Sequence, residues 1–134
     1  MAFLTKQQIL DVNDTPSEVV AVPEWGGDVY VEGMTGSERD GLESDIASRK
    51  GKEVQINLRN FRAKLVAKCA KDPETHMRLF NDQDVLALGH KSAKALERVF
   101  DVARRLSGFS EDDVEELVGN SESGRNDGSG SGSL

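Results

Sequence analysis

The sequence predicts an α+β fold that is predominantly helical, with one N-terminal β-hairpin packed on a small helical bundle. Three observations carry this. A single cluster of β-branched residues at about 18–32 is split by a Gly-Gly turn. Apolar residues recur at steps of three and four from Gly33 onward, the period of a helix with one buried face. A chain of 134 residues is long enough for one domain and short for two. The expected organisation is one domain over 1–118, followed by a Gly/Ser-rich acidic tail at 119–134.

Thr5-Lys6-Gln7-Gln8 has the spacing of a capping box, and Leu4 and Ile9 occupy the positions of a hydrophobic staple. The helix they open is brief, because Asp11, Asn13, Asp14 and Pro16 oppose its continuation. Next come Glu18–Pro23 and Asp28–Glu32, joined by Glu24-Trp25-Gly26-Gly27. The glycines supply the positive φ that tight turns require. Pro23 cannot donate to a ladder, so its strand lies at an edge or ends there. An isolated hairpin is marginal in water and has to pack on helices or pair with another chain.

Thr35-Gly36-Ser37-Glu38 is a second capping box, opening a helix that buries Leu42 and Ile46 and ends at Gly51. Leu58, Phe61, Leu65 and Cys69 mark the apolar stripe of a helix from about Asn57, stopped by Asp72-Pro73. Pro73 to Phe80 connects it to the longest expected helix, starting at Asn81-Asp82-Gln83-Asp84. Its stripe runs Val85, Leu88, Ser92, Leu96, Val99, Ala103 and Leu106, and Ser107-Gly108 closes it. Ser110 caps a last short helix with Val114, Leu117 and Val118. From Gly119 no apolar residue occurs until Leu134, which predicts disorder; the Gly-Ser repeats there also have the composition of a linker.

Charge is unevenly placed. Residues 110–134 hold seven acids against Arg125, whereas Arg49, Lys50, Lys52, Arg59, Arg62, Lys64, Lys68 and Lys71 face Glu53 alone. The acidic end would repel phosphate, which argues against nucleic acid as a partner of the whole chain. It also suggests a soft, salt-screened contact between tail and basic middle. No stretch reaches the ~18 apolar residues of a membrane span, and the N-terminus lacks the pattern of a secretory signal, so no membrane partner is expected.

Candidate chemistry is sparse. Cys69, the only cysteine, falls on an apolar stripe, so a reducing compartment and a buried thiol are expected. A pairing of Cys69 with His76 or His90 would matter only if the fold brought them together with an orienting group. Neither the His and Cys spacing nor the acids Glu111–Glu116 fits a zinc or calcium site, and Gly89-His90-Lys91-Ser92 lies within a helix pattern rather than a phosphate loop. No catalytic residue, metal or cofactor is expected, and the chain reads as a protein that holds another protein. Trp25 and Tyr30 are the candidate apolar contacts, and Arg59, Arg62, Lys64 and Lys68 the candidate charged ones. Trp25 has two open readings, an exposed anchor or a core residue.

The order of motifs adds to this. Val22-Pro23-Glu24-Trp25-Gly26-Gly27-Asp28-Val29-Tyr30-Val31 precedes Gly33-Met34-Thr35-Gly36-Ser37-Glu38-Arg39-Asp40 and Arg62-Ala63-Lys64-Leu65-Val66-Ala67. Arg78-Leu79-Phe80-Asn81-Asp82-Gln83-Asp84-Val85, Leu88-Gly89-His90-Lys91-Ser92, Leu96-Glu97-Arg98-Val99-Phe100, Ala103-Arg104-Arg105-Leu106-Ser107-Gly108 and Ser110-Glu111 follow. Over most of Phe3 to Gly119 this set resembles the tail assembly chaperones of long-tailed, siphovirus-type bacteriophages. The resemblance implies a non-catalytic factor in the host cytoplasm, absent from the mature virion, that keeps the phage tape measure protein soluble during tail assembly. It also implies a ribosomal frameshift extension that recruits the major tail (tube) protein, and leaves room for self-association. Two other readings are a structural tail or connector protein of the virion and an acidic DNA-mimic inhibitor. The latter would need its negative charge on rigid structure, whereas most of it here lies on the terminal segment.

Overall fold

A computed structural model describes residues 3–50, 53–56 and 59–109 of the chain. Helix α1 (Lys6–Asp11) forms where the capping box placed it: Thr5 Oγ1 accepts the Gln8 N–H and Gln8 Oε1 accepts the Thr5 N–H. Leu4 and Ile9 do not make a closed staple, since both remain more than half exposed, and α1 buries none of its residues.

The N-terminal hairpin is β1 (Ser17–Val22) and β2 (Gly27–Glu32), paired antiparallel with Ser17 opposite Glu32 and Val22 opposite Gly27. β1 stops at Pro23, which opens a 3-10 turn through Trp25. Only Gly26 of the glycine pair adopts positive φ, at 76°, and its N–H donates to the Pro23 carbonyl. Val20, Val22 and Val31 turn to the core, while Val19 and Tyr30 are cross-strand partners on the other face. A third strand, β5 (Ala70–Lys71), adds antiparallel to β2, giving the order β1-β2-β5. Two residues are too few to signal a strand in the sequence; they follow directly from the helix before them.

Between α2 (Gly36–Ile46) and α3 (Phe61–Cys69) the structure departs from the all-helical expectation. α2 ends at Ile46, not at Gly51, and Ala47–Lys50 (β3) pairs with Glu53–Ile56 (β4) in a second hairpin. The alternation Glu53-Val54-Gln55-Ile56 is a strand pattern that the helical reading passed over. α3 begins at Phe61 rather than Asn57, after Asn60 with φ of 60°; Leu58 lies outside the described residues.

α3 is buried almost all round: Phe61, Ala63, Leu65, Val66, Ala67, Lys68 and Cys69 are all buried. A single stripe was too modest an expectation, because this short helix runs through the middle of the core and is covered from several sides. The expected long helix is also broken. A 3-10 turn at Asp82–Asp84 leads into α4 (Val85–Gly89), and α5 (Ala93–Leu106) starts afresh. The His90 and Lys91 N–H groups donate three residues back, to Ala87 and Leu88, closing α4. Ser92, placed on the stripe by periodicity, is instead the N-cap of α5, its Oγ accepting the Ala95 N–H. Gly89 marks the break and permits close approach to Asn60, whose Oδ1 would lie 2.7 Å from a Cβ there. α5 presents Ala95, Leu96, Val99, Phe100 and Ala103 to the core, and Gly108 follows it with φ of 85°, as a C-terminal cap requires. The expected last helix and acidic tail lie outside the described residues.

The end of β2 meets the end of α5 closely. A Cβ on Gly33 would fall 2.3 Å from the Leu106 carbonyl oxygen, and the Met34 N–H donates to Ser107 Oγ at 2.9 Å. Gly33→Ala is therefore expected to lower unfolding free energy by about 1–3 kcal/mol through overpacking. Gly36→Ala, in open space at the start of α2, should raise it by about 0.5 kcal/mol through helix propensity. Urea unfolding of the two variants checks the pair.

Candidate binding surfaces

An open, largely apolar groove of about 620 Å³ is lined by Trp25, Phe80, Asp84, Ala87, Leu88 and Lys91. Its walls are held from both sides. The Pro23–Trp25 turn is clamped to α5 by Glu24, whose two carboxylate oxygens accept from Arg98 Nε at 2.9 and 3.1 Å. That guanidinium lowers the Glu24 pKa. The opposite wall is fixed by the capping box at Asn81, whose Oδ1 accepts the Gln83 and Asp84 N–H groups while Asp84 Oδ2 accepts the Asn81 N–H. Trp25 is half-buried and packs against the core cluster while lining the groove. Its position thus lies between a core residue and an exposed one. Phe80, Ala87 and Leu88 were not singled out as contact residues. The sequence signal that could have found them is Phe80 standing directly before the Asn81 cap, where an apolar residue closes over the first turn.

The four charged candidates do not form a free basic face. Arg59 is exposed in the turn before α3. Arg62 is exposed but engaged: its Nε donates to Glu97 Oε1 at 2.7 Å and its guanidinium lies 5.2 Å from the Phe100 ring centroid, tying α3 to α5. Lys68 is buried and paired with Asp45 at 3.4 Å. Lys64 is half-buried at a cleft of about 380 Å³ that it shares with Asp45, Asn60, Lys68, Asp82, Gln83 and Leu86. The cleft therefore carries both signs of charge. The basic run was legible as charge, but its neutralisation was not, because Asp45 and Glu97 come from other helices.

Tyr30 lies on a different face again, at the outer side of the sheet. Its ring meets His76 edge-on, with centroids 6.0 Å apart and planes at 69°. His76, in a left-handed backbone conformation with φ of 61°, places Nδ1 against Glu32 Oε2. Glu32 is buried and also faces Lys71 Nζ at 3.6 Å, and Lys71 reaches Glu38 at 3.2 Å. Two carboxylates thus share one buried ammonium, with the imidazole at their edge. Burial works against the Glu32 charge, but hydrogen bonds from His76 and Tyr30 and the Lys71 charge outweigh it, leaving the pKa lowered. The six candidates accordingly occupy three separate places: the groove, the α3 side and the outer sheet face.

Cys69 is fully buried, next to Ser107 Oγ at 3.7 Å, and burial pushes its thiol up to about 11. Among the described residues, no hydrogen bond links Cys69 to a histidine, and no group of three His, Cys, Asp or Glu is arranged to hold a metal ion. Among them too, no helix is long and apolar enough to cross a membrane. Neither a family model nor a curated protein nor a solved structure matches this chain.

Two outcomes follow from these side chains. Glu32, with its lowered pKa, contributes stability that is present above about pH 4.5 and lost as pH falls through its folded-state value. The urea midpoint should therefore fall between pH 6 and pH 3, less steeply in Glu32→Gln; equal slopes would remove Glu32 from the effect. Cys69 should resist a thiol reagent at pH 8 in the native protein and react at the rate of unfolding. Fast stoichiometric labelling would show the thiol to be reachable.

Proposed function

We propose that this protein is a phage tail assembly chaperone that binds the tape measure protein and keeps it soluble while the tail is built, without catalysing a reaction. The structural observation that carries the reading is the Trp25 groove, an apolar trough with one acid and one base at its rim, held by the Glu24–Arg98 clamp and the Asn81 cap. Such a trough suits one face of an amphipathic helix, where apolar side chains enter at helical spacing and rim charges fix direction. A long helical client has such faces in repetition, and a chaperone that covers them withholds them from one another. The resemblance of the ordered motifs to those of tail assembly chaperones supports that class of client.

On this reading the protein works in the host cytoplasm and is left out of the finished particle, and a frameshift-extended form would recruit the tail tube protein. Charge complementarity from Arg62 and Lys64 plays a secondary part, since Arg62 already serves Glu97.

Co-expression with the tape measure protein tests this. Ala87→Glu sets a charge in the groove at an exposed position, so the fold should persist while client affinity drops by about tenfold or more, the loss typical of a disturbed contact centre. Arg62→Glu with Lys64→Glu should have a smaller effect. Client solubility unaltered by Ala87→Glu would dismiss the groove as the client site.

A further inference from the structure

Asn60, the N-cap of α3, is followed at steps of four by Lys64 and Lys68, so the three side chains form one row along the helix. That row is one wall of the cleft of about 380 Å³. The facing wall is the turn before α4 and the start of α4, with Asp82, Gln83, Val85 and Leu86, and Asp45 from the last turn of α2 closes the cleft.

The acids of this cleft are committed, whereas its donors are in surplus. Asp82 Oδ1 accepts from Arg78 at 3.0 Å, and that bond keeps its pKa low. Asp45 faces Lys68. An ammonium has three N–H donors, and the Lys68 side chain is only 10% exposed, yet its one ion pair among the described residues is with Asp45 Oδ2 at 3.4 Å. A charge-assisted bond is ordinarily shorter, about 2.7–2.9 Å. Lys64, half-buried, makes no side-chain hydrogen bond or ion pair among the described residues, and neither do the side-chain amides of Asn60 and Gln83. Donors withdrawn from water in excess of their acceptors favour an acceptor that enters from outside. Lys64, Lys68 and Arg78 stand against Asp45 and Asp82, so a single further negative charge balances the cluster.

We propose that this cleft binds one carboxylate on a short aliphatic stem, of the size of a glutamate side chain. Its oxygens accept from Lys64 and Lys68, the Asn60 and Gln83 amides complete the polar contacts, and the stem lies against Val85 and Leu86. A dianion such as phosphate fits less well, because Asp45 and Asp82 repel the second charge. The site is separate from the Trp25 groove and does not rest on the client reading. Asp82, Gln83 and Leu86 line the cleft, whereas Asp84, Ala87, Leu88 and Lys91 line the groove, so the two open on different sides of α4 and its leading turn.

The probe is N-acetylglutamate α-amide, titrated into the full chain at low salt and followed by NMR. The Asn60 and Gln83 side-chain amides should shift and saturate in the millimolar range, the affinity of a ligand of about a dozen non-hydrogen atoms. N-acetylglutamine amide, without the charge, and inorganic phosphate should each bind at least about tenfold more weakly. Lys64→Met keeps the stem and breaks no ion pair, so circular dichroism should stay native while probe affinity drops about tenfold; Lys64→Arg should keep most of it. Ala87→Glu, in the groove, should leave probe binding unchanged. No saturable shift, equal binding of the neutral amide or of phosphate, affinity indifferent to Lys64→Met, or loss in Ala87→Glu would each overturn the proposal. A free acid and an acidic side chain of a bound protein share this chemistry. Once Trp25 emission shows a tape measure segment bound, displacement of the probe assigns the carboxylate to that segment, and its retention assigns the cleft to a free acid.

Discussion

Burial of α3 on nearly every side is the constraint on which the rest of the molecule depends. A nine-residue helix with seven buried positions has to be covered by several neighbours at once, and α2, α4, α5 and β5 are placed by doing so. α5 lies along it through Phe61 and Phe100, whose rings meet edge-on at 5.9 Å. The hairpin reaches it through β5, the direct continuation of its C-terminus. The same burial sets the electrostatics. Lys68 and Lys71 sit where water is scarce, so Asp45 from α2, Glu32 from β2 and Glu38 from α2 are drawn in to face them. An ammonium left there alone would be costly, since removing one partner of a buried pair leaves an uncompensated charge.

Local chemistry made much of this legible in advance. Both capping boxes, at Thr5 and Thr35, open helices where their spacing placed them, and the β-branched cluster forms its hairpin with Pro23 ending the strand. Two elements were hidden for identifiable reasons. The second hairpin at Ala47–Ile56 has only four residues per strand, and a glycine between them reads equally well as a helix end or a turn. The break after α4 was masked because Ser92 happens to fall in phase with the apolar stripe, so periodicity ran straight through a cap. In both cases a short-range signal was present and a longer-range period was followed instead.

The candidate site was less legible, because a surface is made by residues distant in sequence. Trp25 stood out by residue type, but the groove exists only because Phe80, Ala87 and Leu88 are carried opposite it by a different part of the chain. The basic stretch illustrates the reverse: it was conspicuous as composition, yet Arg62 and Lys68 are engaged by Glu97 and Asp45 in the folded molecule. Among the described residues, apolar side chains stay open in the groove at one end of the hairpin and in the N-terminal segment at the other.

Trp25 is the only tryptophan, so its fluorescence reports on the groove without background. Titration with a purified helical segment of the tape measure protein should shift the emission to shorter wavelength and reduce quenching by acrylamide as the ring leaves water. A complex that forms with emission and quenching unchanged would place the client elsewhere and contradict the central claim.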